Sequence, residues 1–338
     1  MIKRVKRAAL GAASALLIAL VSIIWAAPPQ GAALLLERAS TGAGGADQRL
    51  IVKGDARALQ RAATGQRLPR AVRLRETRSH GLIAQVWVNG SGPYSFAVDT
   101  GAGASIISER VAGEARVAFL SGRATIMSGM SGASGAAGRK ASVRSLAIGD
   151  EANLLPAQSA VIVTGALPPD IDGVLDPTEA FWPLGYSIDM RRGEISAFDP
   201  RATPLRLGDA PPGGAVVPWL FERGSRRPFV MLDGTGRALL DTGSEFGLAV
   251  SEGAARGMGV SAAVGRDKEG VRDIAGGRIV ARRVAPATVR IGPLVLRSVP
   301  TDVLSGVVDG SPILLGRDAL QPFYLSFDPL NKLILITP

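Results

Sequence analysis

The chain has 338 residues, enough for about two domains of ordinary size with a sizeable core. It contains no cysteine and one histidine, His80. That removes disulfides, thiolate nucleophiles and cysteine zinc sites, and leaves a Ser-His-Asp triad or a multi-histidine metal site only one ring to be built on, so hydrolytic chemistry would rest on carboxylates. The net charge of +10 does not point to nucleic acid: Lys3, Arg4, Lys6 and Arg7 crowd the first seven residues, and most of the remainder are arginines scattered among alanine and glycine.

Behind those four cations, Ala8 to Ala27 form an apolar run that ends at Pro28 and Pro29. Residues 1–27 are therefore expected to be an export signal, either a cleaved signal peptide or an uncleaved signal anchor, since about 20 residues just span a bilayer. The cations on its N-terminal side place the body of the chain outside the cytoplasm, periplasmic or anchored to the inner membrane. Residues 28–80 read as a polar tether, with a short helix expected over 55–63 and Asp55 as its N-cap.

From residue 81 onward the sequence repeats itself. YSFAVDTGAGASIIS, centred on Asp99, is echoed by RALLDTGSEFGLAVS around Asp241, 142 residues on. SLAIG, ending at Gly149, is echoed by TVRIG, ending at Gly292, and GVLD with YSIDMRRGEISAF by ILLGRDALQPFYLSFDPLNKLILI, which matches Asp189 to Asp328. Ordered anchors at nearly one offset imply two homologous lobes, 81–200 and 215–338, joined by a linker over 201–214. Within each lobe, alternating strands of four to eight residues are broken by turn signals at Asn89-Gly90, Arg223-Gly224 and Asp233-Gly234. The fold expected is all-β, with small closed or sandwiched sheets.

At equivalent points of the repeat, each lobe ends an apolar strand in Asp-Thr-Gly: Asp99, Thr100 and Gly101, then Asp241, Thr242 and Gly243, followed by Ala102 and Ser244. A strand leaving the core delivers a carboxylate at its end, the glycine lets the backbone turn and approach another chain closely, and the threonine hydroxyl is free to bond backbone across a pseudo-twofold interface. Glycine-rich stretches in both lobes, Ser128 to Gly138 and Ile274 to Gly277, are candidate flaps. The first begins with Ser128, Gly129 and Met130, and the second comprises Ile274, Ala275, Gly276 and Gly277. His80 is expected at the surface, and Asp172, Asp176, Asp302 and Asp309 fit no calcium-loop spacing.

These motifs resemble the aspartic proteases. LLDTGSE, the flap-like DIAGGRIVARRV and ILLGRDAL are similar to a retropepsin subunit, and GLIAQVWVNGSGPYSFAVDTGAGASIIS resembles the retropepsin-like proteins of bacteria. Two lobes in one chain is the pepsin-like arrangement. The resemblance implies a bilobal acid-protease fold of two homologous β-barrel-like lobes with a cleft between them, and a monomer with pseudo-twofold symmetry. It implies Asp99 and Asp241 as a catalytic dyad that activates water, a polypeptide substrate gripped as an added strand, and no metal or cofactor. Membrane contact is expected only through the N-terminal segment.

Which aspartate is ionised stays open, because the two titrate as a unit. Two departures stand out. Neither flap stretch holds a tyrosine, the chain's three being Tyr94, Tyr186 and Tyr324, and the apolar pair plus glycine of Leu314, Leu315 and Gly316 reads Val174, Leu175 and Asp176 in the first lobe. A non-catalytic module that keeps the fold and captures peptide in the cleft is the alternative.

Overall fold

The computed structural model describes residues 22–23 and 68–338, apart from 78–79, 132–134, 157–159, 223–224, 235, 262–264 and 269–276. The expected export segment, except for 22–23, and the expected helix at 55–63 lie outside the described residues. Among the described residues no helix is long and apolar enough to cross a membrane. Regular structure begins earlier than residue 81: Val72–Arg73 and Arg75–Thr77 are short strands, and Val72 and Leu74 are buried between exposed arginines, as a half-buried strand requires.

The first lobe is built on β1 (Gly81–Val88), β2 (Ser91–Val98), β3 (Ser105–Ser108), β4 (Thr125–Ser128), β5 (Ala136–Ser142), β6 (Ala160–Thr164) and β7 (Gly173–Leu175). Helix α1 (Glu109–Glu114) follows β3, and α2 (Pro177–Ala180) follows β7. The β1–β2 connection is Asn89-Gly90, whose φ angles of 53° and 83° are both left-handed, as a two-residue hairpin turn of matching twist demands. The strands run in the order β4-β5-β6-β3-β7-β2-β1, with β6 parallel to β3 and β7 parallel to β2.

Strands β8 (Gly185–Asp189) and β9 (Glu194–Phe198) close the first half of the chain. The second lobe then repeats the plan with β10 (Ala215–Pro218), β11 (Ser225–Leu232), β12 (Gly236–Leu240), β13 (Leu248–Ser251), α3 (Glu252–Gly257), β14 (Val280–Ile291), β15 (Leu294–Ser305), β16 (Ile313–Leu315) and α4 (Arg317–Leu320). Its order β11-β12-β16-β13-β15-β14 carries the same two parallel contacts, β12 with β16 and β13 with β15. Even the caps repeat: Ser108 accepts from the Val111 amide at the start of α1, and Ser251 from the Ala254 amide at the start of α3, each at 3.2 Å. Among the described residues the two lobes are mixed sheets open at their ends, so the barrel-like lobes expected do not close.

A third sheet joins the halves. Its order is β10-β18-β17-β8-β9, where β17 is Tyr324–Asp328 and β18 is Leu333–Thr337, with Val72–Arg73 at the edge. At its centre β8 and β17 pair antiparallel, Ser187 opposite Ser326, and the two hydroxyls are 2.6 Å apart. These serines are 139 residues apart, the offset of the repeat at that point, so the pseudo-twofold axis runs between them. Tyr186 stacks on Phe327 across the same pair, centroids 4.6 Å apart, and both rings lie in the continuous apolar core of the two lobes.

Candidate active site

The two Asp-Thr-Gly turns leave β2 and β12 side by side on the axis. Each aspartate amide donates to the carbonyl of the neighbouring parallel strand, Asp99 to Leu175 at 3.0 Å and Asp241 to Leu315 at 2.9 Å. The threonines then cross over. Thr100 Oγ1 donates to Leu240 O at 2.6 Å and accepts from the Thr242 amide at 3.1 Å, while Thr242 Oγ1 donates to Val98 O at 3.0 Å and accepts from the Thr100 amide at 3.1 Å. Four cross-lobe hydrogen bonds, all buried, thereby fix the spacing of the two strand ends.

Gly101 and Gly243 allow the approach. Each amide donates to the Oδ1 of its own lobe's aspartate, at 2.7 Å and 2.9 Å. A β-carbon on Gly101 would lie 2.8 Å from Asp241 Cγ, and one on Gly243 would lie closer still to Asp99. Asp99, Asp241, Ala102 and Ser244 are completely enclosed. The Oδ2 of each aspartate is buried and has no hydrogen-bond partner among the described residues, and each glycine's place for a β-carbon lies against the other lobe's carboxyl.

Burial holds Asp99 well above the ordinary carboxylate range, and the charge of Asp241 and the hydrogen bond to it push the same way. Burial raises Asp241 too, but the hydrogen bond from Asp99, the Gly243 amide and the cation of Arg317 pull it back. Both carboxyls are therefore held up by burial, and of the two only Asp241 has a cation acting to pull it back. Arg317, at the start of α4, is nearly buried, and its Nη1 donates to Thr242 O and Gly243 O, each at 3.2 Å. Its position in the first lobe is taken by Pro177, so the cation sits on one side only.

The structure also settles the first-lobe departure at Asp176. Its carboxylate neither joins the dyad nor forces the loop outward: it caps α2, accepting from the Thr178 amide at 2.9 Å, while its own amide donates to Ser105 Oγ at 3.1 Å. Burial, and then the charge of Glu179, push it up to about 7. In the second lobe Gly316 takes this place and packs against the Ser244 and Phe246 carbonyls, where a side chain would not fit. Ser244 O meanwhile accepts from the Arg317 amide at 2.8 Å.

Of the flap candidates, Ser128, Gly129 and Met130 lead out of β4, which pairs antiparallel with β5. Ile274, Ala275 and Gly276 lie outside the described residues, and Gly277 is buried just ahead of β14. His80 is buried rather than at the surface, its Nε2 2.6 Å from Asp170 Oδ2. Asp172 accepts from the Ser95 amide at 2.8 Å and pairs with Arg110, and Asp302 is held by a two-pronged contact from Arg283 at 2.9 Å. Those two carboxylates have structural partners. Among the described residues no cluster of histidine and acidic side chains is arranged to hold a metal ion.

Arg317 is the site residue that sequence reasoning missed. It stands inside the ILLGRDAL motif, and the mark that could have singled it out is a cation directly after the apolar-apolar-glycine turn. No curated protein matches the chain. The sequence signature described as "Aspartyl protease" matches residues 84–175 and again 230–319, together more than half of the chain, with one aspartate of the dyad in each match. The chain belongs to the aspartyl protease family, with two copies of the family unit in one polypeptide.

Proposed function

We propose that the protein is an aspartic endopeptidase that hydrolyses peptide bonds with the Asp99 and Asp241 dyad. The observation that carries this reading is the pair of enclosed carboxyls, delivered by symmetry-related strand ends, each with its Oδ2 buried and without a hydrogen-bond partner among the described residues. Two carboxyls in that relation share one proton. The ionised carboxyl takes a proton from a water held between them, and that water attacks the scissile carbonyl carbon. The protonated carboxyl gives its proton to the carbonyl oxygen, and the tetrahedral intermediate breaks down as the leaving amine is protonated. The substrate is an extended polypeptide lying across both lobes and bonded through its main chain.

The basic and apolar N-terminal segment supports placing this activity outside the cytoplasm, in the periplasm or on the outer side of the inner membrane. Incubating the full chain with a diverse peptide library between pH 3 and 7, beside Asp99→Asn and Asp241→Asn, tests the chemistry. Cleavage by the wild type that either substitution abolishes is the expected result. Cleavage that survives both removes the dyad from the mechanism, and peptide retention without cleavage gives the fold a binding role instead.

A further inference from the structure

Met130 follows β4 in the connection to β5, beyond the paired part of that hairpin, where a side chain is ordinarily solvated, yet it is only 3% exposed. The opposite lobe buries it. Its side chain joins the apolar cluster of Leu239, Phe246, Ala249, Leu304 and Leu314, all from lobe two, and its carbonyl accepts a hydrogen bond of 2.9 Å from the Val308 amide. This cluster lines the dyad face of lobe two. Leu239 precedes Asp241 by two residues in the run of β12 and so points to the same side of the sheet, and Leu314 is its partner in the parallel pair with β16.

Three residues before Met130, Met127 packs into the matching cluster of lobe one with Ala97 and Val174, and Ala97 stands to Asp99 as Leu239 stands to Asp241. One hairpin thus rests on the dyad faces of both lobes, above two carboxyls that are entirely enclosed. Hydrolysis needs a peptide carbonyl within about 3.5 Å of the attacking group. An extended substrate across the dyad requires the space that the hairpin and the Met130 side chain fill.

We propose that Met130 is a built-in occupant of the lobe-two side-chain pocket beside Asp241, so that the flap rests closed on the enzyme itself and a polypeptide enters only by presenting an apolar side chain that takes the methionine's place. Methionine suits the part, being unbranched and adaptable enough to fill the pocket and to leave it. The inference rests on the peptidase reading for its consequence in catalysis, but the seating of Met130 is measurable without activity.

The chain has no cysteine, so a Met130→Cys, Val308→Cys pair gives a clean test in the full-length protein. Mild oxidation of the folded variant is expected to join the two residues, to slow hydrolysis of labelled casein at least 10-fold, and to be reversed by reductant. Met130→Ala is expected to bind the apolar dye 1-anilinonaphthalene-8-sulfonate several-fold more strongly than the wild type and to lower KM for casein several-fold. Met130→Leu, which refills the pocket, should behave as the wild type toward the dye. Failure of the cysteines to join, undiminished hydrolysis once they are joined, dye binding by Met130→Ala equal to the wild type, or a rise in its KM would each overturn the proposal. If the wild type cleaves nothing, the peptidase reading fails, and the cross-link and the dye still decide where Met130 sits.

Discussion

Thr100 and Thr242 exchange the same pair of hydrogen bonds: each hydroxyl donates to the carbonyl before the other lobe's aspartate and accepts the other threonine's amide. Because all four bonds are buried, removing one hydroxyl strands both a carbonyl and an amide, at about 1–3 kcal/mol per unsatisfied group. Thr100→Val, which keeps the shape, should lower stability by about 2–6 kcal/mol in denaturant unfolding, and Thr242→Val by a similar amount. The double variant should cost less than the sum, since the two hydroxyls serve one network. Full additivity would mean that the network does not act as a unit.

Gly101 and Gly243 predict a different loss. Neither sits at a positive φ, so the objection to a side chain there is spatial: a methyl on Gly101 meets the Asp241 carboxyl at 2.8 Å. Gly101→Ala should cut kcat at least 100-fold by spreading the carboxyls, since a displacement of about 1 Å at reacting groups costs that much. Stability should fall less than in the threonine variants. Unchanged kcat would show that the carboxyls need not stand this close.

Asp176 ties pH to stability. Its folded pKa of about 7 lies above the unfolded value of about 3.9, so the fold favours the neutral carboxyl. The stability it lends is full below about pH 4 and is lost as pH rises to about 7, after which no further change comes from this group. Asp176→Asn keeps an oxygen to cap α2 and carries no charge. The variant should be more stable than the wild type at pH 8 and should lose less Tm between pH 5 and pH 8. Identical pH dependence in the two proteins would show that Asp176 titrates normally.

Much of the fold and the dyad was legible in the chain because it is written locally and twice. Asp-Thr-Gly after two apolar residues places a carboxylate at a strand end in both lobes, and Asn89-Gly90 specifies its turn by the φ angles those residues tolerate. The cap formed by Asp176 was legible as well, since aspartate before Pro177 is a helix-start signal. Its likeness to a misplaced glycine obscured that. Arg317 could not be read in the same way, because its acceptors are main-chain carbonyls 74 and 75 residues away, brought to it by the fold. Nor could the pairing of Ser187 with Ser326: alternation predicts both strands, but nothing local to either names the partner.

The same Arg317 is the cation that pulls Asp241 down against burial. Burial raises both aspartates, so activity should peak above the ordinary carboxylate range rather than near pH 4. The acid limb of the profile follows protonation of the pair's one charged carboxylate, and the alkaline limb follows loss of the shared proton. Arg317 lowers Asp241, so replacing it with an uncharged side chain of similar reach, Arg317→Met, should move the acid limb to higher pH and narrow the active range. Arg317→Lys, which restores the cation without the two-carbonyl contact, should bring the limb part of the way back. A purely structural role would reduce kcat in both variants and leave the limbs where they are. The kcat/KM profile from pH 3 to 9 for the three proteins separates the cases, because only a charge acting on Asp241 moves the acid limb with the sign of the side chain at position 317.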